Sequence, residues 1–179
     1  ESYPEDVCTH VARRMAVAAQ KAQVVAYMQR DEAARQAQVR ASIRAAVAAL
    51  LNAGTALAGG RIHQNRHYVL ASSEASAIWV NRLDTAPERV VLGRLDWRTE
   101  LDVVIRTRTS GGTSAESAAD TLSEAVFSRV MTNPTLDGAA IDTVPGAITW
   151  EDEEADTPIA VCTLRFTVIH RTSEESLSA

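Results

Sequence analysis

Three stretches of the sequence hold residue types that bind ions or carry out catalysis. The first contains His63 and His67, whose spacing would bring two imidazoles to one metal ion on a helix. Gly59 and Gly60 precede the pair and Ile62 is β-branched, so we expect an edge strand over residues 61–70, on which the rings stand about 13 Å apart. The sequence therefore predicts no metal site at this pair.

The second stretch is a glycine pair before a helix, an arrangement that can bind an anion. Gly111 and Gly112 follow a strand pattern, and the helix starts near Thr113. The stretch lacks the lysine of a P-loop and the glycine spacing of a dinucleotide fold. A hydrolase built on these glycines would need a base near Thr113 or Ser114, and no histidine can be placed there from the sequence. We interpret the glycines as a strand-to-helix connection.

The third stretch, residues 151–156, is acidic enough to suggest calcium. It lacks the alternating ligands and the central glycine of an EF-hand loop, so we interpret it as a solvated hairpin tip. Cys8 and Cys162 are too few and too isolated for a zinc site or a disulfide framework. Cys162 falls on the apolar side of a strand pattern, which is typical of an inert packing residue. The sequence thus predicts no catalytic residue, no cofactor and no metal.

The composition argues against several classes of partner. The formal net charge is −5, so no global field attracts nucleic acid or an anionic membrane. Aromatic residues make up 4% of the chain, which leaves little for stacking bases or sugars. No apolar run approaches the roughly 18 residues that span a bilayer. We expect neither sequence-specific nucleic acid binding nor membrane association.

The longest alternating pattern runs from Arg94 to Thr109 and predicts a strand with one apolar and one charged face. The apolar face carries Leu95, Trp97, Leu101, Val103 and Ile105, and the charged face carries Asp96, Arg98, Glu100, Asp102, Arg106 and Arg108. At about 3.3 Å per residue this strand reaches roughly 50 Å, which is longer than most strands. We therefore expect part of it to project beyond its own sheet.

The N-terminal residues predict a long helix that begins with a capping signal at Ser2–Glu5 and ends at Asn52-Ala53-Gly54. A narrow apolar stripe consists of Val7, Val11, Met15, Ala18, Ala22 and Val25. Residues 29–38 interrupt this stripe without Gly or Pro, so either one helix continues or two helices meet near Asp31. The stripe is covered by a helical hairpin within the chain, by a neighbouring subunit or partner, or only on assembly.

The remaining elements complete an α+β pattern. A buried strand over Ala77–Leu83 is expected to end at residues 84–88, and a helix over Ala115–Met131 is expected to start in a capping box at residues 113–116. Strands follow over Ile141–Trp150, bent at Pro145-Gly146, and over Ile159–His170. We predict a mainly antiparallel sheet with helices packed on one face, preceded by a long N-terminal helical extension. The predicted organisation is a helical arm at 1–38, an α+β domain at 39–172 and a polar tail at 173–179.

From Val39 onward the chain resembles the tail terminator proteins of long-tailed bacteriophages, the family of minor tail protein U. Four segments carry the resemblance: VRASIRAAVAALLNAGTALAGGRI, LDWRTELDVVIRTRT, VMTNPTLDG and TWEDEEADTPIAVCTLRFTVIHRT. The family has no invariant catalytic signature and is distinguished by this succession of elements. Residues 1–38 have no counterpart in its short members, so no role is carried over to them.

The resemblance implies a structural virion protein with no enzymatic activity. Such a protein forms a homo-oligomeric, hexameric ring that caps the tail tube, stops its polymerisation and offers a docking surface for head-tail joining. The implied partners are the tail tube protein and a head-tail connector or stopper protein, and DNA would pass through the ring. The implied location is the head-tail junction of the virion, after assembly in the host cytoplasm.

Two surfaces are candidates for these contacts. Charges of both signs on one strand suit a heterologous ring contact, so we place a subunit or tube interface at Arg98, Glu100, Asp102, Arg106 and Arg108. A solvated sheet face with cross-strand ion pairs is the alternative reading of the same residues. The partner-binding arm is represented by Val7, Val11, Met15 and Val25. Two other classes stay open: a small-molecule-binding or regulatory α+β domain that dimerises, and a hydrolase.

Overall fold

A computed structural model describes residues 5–64, 69–91, 94–154 and 157–173. Two α-helices and five strands make up the fold. In chain order they are α1 (Glu5–Asn52), β1 (Ile62–Gln64), β2 (Ser76–Val91), β3 (Arg94–Arg108), α2 (Ala115–Thr132), β4 (Asp142–Glu153) and β5 (Ile159–Ser173). The chain divides into two compact units, Glu1–Gln38 and Val39–Ala179.

The five strands form one sheet in the order β1-β2-β3-β5-β4. β1 runs parallel to β2, whereas the other three neighbouring pairs are antiparallel. The α+β class with a mainly antiparallel sheet is therefore confirmed. β1 and β4 lie at the two edges, and β3 lies at the centre.

Both helices pack on the same face of the sheet. Three residues near the end of α1, Ile43, Val47 and Leu51, and two residues of α2, Val126 and Val130, contact this face. Strands β2, β3 and β5 contribute Ile78, Val80, Leu101, Val103, Ile105, Cys162, Leu164, Phe166 and Val168. The alternation predicted for β3 and β5 therefore separates core from surface, and Cys162 is buried as expected.

Arg129 of α2 holds the end of α1 in place. Its Nη1 donates a hydrogen bond to the carbonyl oxygen of Leu51 at 2.8 Å, and its Nη2 donates to that of Thr55 at 3.0 Å. The last carbonyls of a helix have no intrahelical partner and carry partial negative charge, which suits a guanidinium. Gly54, with φ at +71°, provides the left-handed residue after this helix end.

The structure corrects the expected end of the second strand. Residues 84–88 lie inside β2, which continues to Val91 with a register shift between Arg82 and Thr85. Among the described residues, β1 pairs with Ile78–Val80 and no other strand pairs with β2 on that side beyond Val80, which is the setting in which a strand tolerates Pro87. The extra residues are accommodated by the bulge.

The prediction that the long strand projects beyond its sheet is wrong. β5 pairs with β3 from Arg94 to Arg108, and β2 pairs with the same range on the other side. The three central strands are therefore matched in length. The error came from reading β2 as a short strand.

The helix boundaries predicted from the sequence lie close to those in the structure. α2 is capped by Ser114, whose Oγ accepts a hydrogen bond from the N–H of Ser117 at 3.2 Å. The N-cap is therefore Ser114 and not Thr113, and the expected capping box of Thr113 and Glu116 is replaced by a single cap. α1 extends from Glu5 to Asn52 as one helix, so the alternative of two helices meeting near Asp31 is wrong. The predicted bend at Pro145-Gly146 is confirmed by a register shift between Pro145 and Ile148.

A second, smaller core covers part of the opposite face of the sheet. Leu70, Ala77 and Trp79 are buried there, and Val104 packs against them. The segment around Leu70 thus shields the β1–β2 side of the face that carries the charged residues. The signals expected at Ser2–Pro4, His67, Asp156 and residues 174–179 fall outside the described residues.

Candidate functional site

The charged face of the sheet is formed by β3 and β5 together. The antiparallel register places Asp102 opposite Arg165 and Asp96 opposite Arg171. Side chains that face each other across neighbouring strands point to the same side of the sheet, so opposite charges meet on the face away from the helices. The alternation of β3 predicted this face, but the partners on β5 are supplied by strand order and register.

Both pairs are joined by two hydrogen bonds. Arg171 donates from Nε to Asp96 Oδ1 at 2.6 Å and from Nη2 to Oδ2 at 2.8 Å. Arg165 donates from Nε to Asp102 Oδ1 at 2.9 Å and from Nη2 to Oδ2 at 3.2 Å. The hydrogen bonds from Arg171 lower the pKa of Asp96, although burial acts in the opposite direction. Both carboxylates are thus held in fixed orientations by two hydrogen bonds each.

The two arginines at the other end of β3 also contact groups of the same chain. The guanidinium of Arg106 lies over the Trp79 ring, 5.6 Å from its centroid, and its Nη1 lies 3.4 Å from Oε2 of Glu153. Arg108 donates from Nη2 to the carbonyl oxygen of Leu70 at 3.3 Å. These contacts fix the direction of both side chains.

The five residues predicted as an interface therefore share one face of the sheet. Asp102, Arg106 and Arg108 contact other parts of the chain, which matches the cross-strand pairs of the alternative reading. Arg98 is exposed and Glu100 is half-buried. An interface on this face would meet a preformed array of oriented charges, so little side-chain ordering would be required on docking.

The second predicted surface is the N-terminal helix. Met15 is 67% exposed, Val25 is 52% exposed and Tyr27 is 71% exposed. Val17 and Val24 are exposed as well, and the side chains of Val7 and Val11 lie outside the described residues. These exposed apolar side chains make the helix a candidate interaction surface.

Sequence reasoning missed a third group of exposed apolar residues, which lies beside β4. Ile148 and Trp150 of β4 and Phe127 of α2 are exposed, although the first two are paired with the core residues Leu164 and Cys162 of β5. Strand periodicity predicts which side these residues face. It does not predict that the helices leave this edge of the sheet uncovered.

The glycine pair forms a tight turn. Gly111 and Gly112 have φ of +59° and +83°, and the N–H groups of Ser110 and Thr113 donate to each other's carbonyl oxygens at 3.2 and 3.0 Å. The amides of Ser110 and Thr113 are therefore used inside the turn. This geometry agrees with a connection and does not present those two amides to an anion.

Of the four candidate histidines, the structure describes the side chains of His63 and His170, and neither lies beside Thr113 or Ser114. His170 pairs with Trp97 of β3. Thr107 of β3 donates a hydrogen bond to the carbonyl oxygen of Ala115, at the start of α2. Ten residues of strand separate Trp97 from Thr107, so His170 lies about 33 Å along the sheet from the start of α2. His63 contacts Trp79, on the opposite face of the sheet from α2. Burial raises the pKa of the Cys162 thiol, against a hydrogen bond from Ser123, so this thiol stays protonated and unreactive.

Folding stability should fall on mild acidification because of His170. Burial lowers the pKa of His170, against the nearby Asp96 charge, so between its folded and usual pKa values the unfolded chain binds more protons. The contribution of neutral His170 to the free energy of unfolding is therefore fully present above the usual histidine pKa of about 6.5. It is lost as the pH falls from that value toward the lower pKa of His170 in the folded protein. Urea unfolding at pH 7.5 and 5.5 should show a smaller difference for His170→Gln than for wild type. An equal difference in both proteins would contradict this assignment.

Within the part of the chain that the structure describes, no group of three or more His, Cys, Asp or Glu side chains is arranged to hold a metal ion. Over the same residues, no helix combines the length and the apolar character needed to cross a bilayer. The features that stand out in this part of the chain are the charged sheet face and the exposed apolar side chains of α1 and of the β4 edge.

No sequence family and no curated protein matches this chain. Among solved structures, the chain is similar to one chain of a structure described as "Virion of native gene transfer agent (GTA) particle". The TM-score is 0.45 and the sequence identity is 13%, over 70% of this chain and 92% of that chain.

Proposed function

We propose that this protein is a structural virion component that closes the end of a phage tail tube. Copies of the chain form a ring, the ring stops tube polymerisation, and its other side receives a head-completion protein. The exposed apolar helix over residues 14–27 carries the proposal, because those side chains have no cover within their own unit. The resemblance of residues 39–172 to tail terminators supplies the tail tube as the partner.

The charged sheet face supports the same role. In a closed ring each copy contacts the next through two different patches, so one surface can carry both signs of charge. The pairs Asp96–Arg171 and Asp102–Arg165 hold such charges in fixed directions. Electrostatic complementarity of this kind mainly determines which partner docks and how fast it docks.

The proposal is tested by polymerising the cognate tail tube protein with and without this chain. We expect tubes of varied, unlimited length in its absence, and short tubes bearing one cap of density at one end in its presence, as seen by negative-stain electron microscopy. Tubes of the same length distribution in both reactions, with no cap, would contradict a terminating role. Albumin at equal concentration controls for nonspecific inhibition.

The alternative of a small-molecule-binding domain predicts a different result. Such a domain would dimerise through its sheet and would leave tube growth unchanged. Sedimentation of the purified chain, combined with the tube assay, distinguishes the two readings.

A further inference from the structure

An open groove runs between α2 and the edge strand β4. Two cavities lie in a row along it, of about 620 and 290 Å³. The larger cavity is lined by Glu116 of α2 and Asp152 of β4, and the smaller one by Phe127 of α2 and Ile148 of β4. Eleven residues of helix separate Glu116 from Phe127, so the groove is about 16 Å long, enough for three turns of a docked helix.

The floor of one end of the groove is apolar. Trp150 is 49% exposed, Ile148 is 50% exposed and Phe127 is 36% exposed. Phe127 also rests against the buried Phe166, with ring centroids 6.4 Å apart, so the floor is anchored in the core. Covering these three side chains would remove a substantial apolar area from water.

Strand pairing is a poor way to cover this edge. Pro145 and the register shift that follows it interrupt the hydrogen-bond ladder in the first half of β4. The second half carries three acidic residues, Glu151, Asp152 and Glu153. Proline, bulges and charges are the features that keep edge strands from pairing with other strands. The groove is therefore suited to a helix that lies across the side chains.

The walls of the groove are acidic. Glu116, Asp120 and Glu124 follow each other one turn apart along α2, all exposed. Asp152 and Glu154 line the opposite wall. Glu153 lies between them, with its Oε2 atom 3.4 Å from Nη1 of Arg106. A helix that binds here should combine an apolar face with basic residues and lack carboxylates.

The N-terminal unit of the chain has this chemistry. The sequence from Val7 to Arg30 contains Arg13, Arg14, Lys21 and Arg30 and no Asp or Glu. In its helix, Arg14 and Lys21 lie two turns apart on one side and are exposed, next to the exposed Val17, Val24 and Val25. The fourteen residues from 14 to 27 span about 20 Å of helix, which covers the length of the groove.

We propose that residues 14–27 of one copy dock in the α2–β4 groove of a second copy. The apolar residues of the helix cover Phe127, Ile148 and Trp150, and Arg14 and Lys21 meet Asp120 and Glu124. This inference rests on the proposed assembly role and names a second copy as the partner of the arm. The contact joins two different patches, so it propagates from copy to copy and closes into a ring when the rotation permits.

Reversed charges on each side provide the test. An arm variant carries Arg14→Glu and Lys21→Glu, and a groove variant carries Asp120→Lys and Glu124→Lys. All four side chains are exposed, so both variants should unfold like wild type in urea. Glu116 is left unchanged because a carboxylate in the first turn stabilises α2.

We expect wild type to self-associate in native mass spectrometry and sedimentation, and each variant alone to associate at least about tenfold more weakly. An equimolar mixture of the two variants should recover association, because each acidic arm then meets a basic groove and each basic arm an acidic groove. A monomeric wild type, a variant that associates like wild type, or a mixture without recovery would each overturn the inference. If wild type still caps tail tubes in any of those cases, the proposed function survives without this contact.

Discussion

Removing residues 1–38 should convert the self-associating chain into a monomer while leaving the rest of the protein folded. The deletion removes the exposed apolar side chains of the helix over residues 14–27. The main buried core starts at Ile43, so it stays complete in the shortened chain. We expect native mass spectrometry to show single copies at concentrations where wild type forms rings. The free energy of unfolding in urea should change by no more than about 0.5 kcal/mol.

A full-length variant separates the loss of apolar contacts from the effects of truncation. Val24→Ser, Val25→Ser and Tyr27→Ser keep the arm in place and remove three of the five exposed large apolar side chains described over residues 14–27. This variant should lose association to nearly the same extent as the deletion. If the deleted chain retains the wild-type oligomer and still binds tail tubes, the arm has no part in assembly.

Exchanging the charges of the Asp102–Arg165 pair should weaken binding to the tail tube by about tenfold or more. Asp102→Arg combined with Arg165→Asp keeps opposite charges across the two strands and reverses their positions. The fold should therefore be retained, whereas a partner that is complementary to the original array would meet like charges. Co-sedimentation with preformed tubes measures the effect.

The single variant Asp102→Arg is the matched comparison. It places two arginines opposite each other on β3 and β5, so it should lower stability in urea, whereas the exchanged pair restores it. Wild-type tube binding by the exchanged pair would show that this face is a solvated sheet surface and would remove it from the interface.

Much of the fold follows from local periodicity in the sequence. The alternation over residues 94–109 predicts β3 and its charged side, and the spacing in residues 115–131 predicts α2 within one residue at its end. Gly54 predicts a helix end because glycine tolerates the left-handed backbone, and Pro145 predicts an interruption of its strand because its ring fixes φ and it has no N–H to donate. Each of these signals depends on residues that are close in the chain.

The partners of the charged residues depended on strand order. Asp96 and Arg171 are 75 residues apart in the chain, and Asp102 and Arg165 are 63 apart. Placing β5 next to β3 in one particular register brings both pairs into contact, and no local pattern contains that register. The continuation of β2 past Pro87 also depends on strand order, because among the described residues no strand other than β3 pairs with β2 at Pro87, and such an edge tolerates proline.

The sequence by itself determined the two long helices, the strands β3 and β5, and the buried side of those two strands. Only the tertiary structure decided which apolar residues stay uncovered. Ile148 and Trp150 belong to the core side of their strand, yet β4 lies at the edge of the sheet, where the helices do not cover it. Burial is a property of the assembled layers, because a side chain loses contact with water only when another element is packed over it.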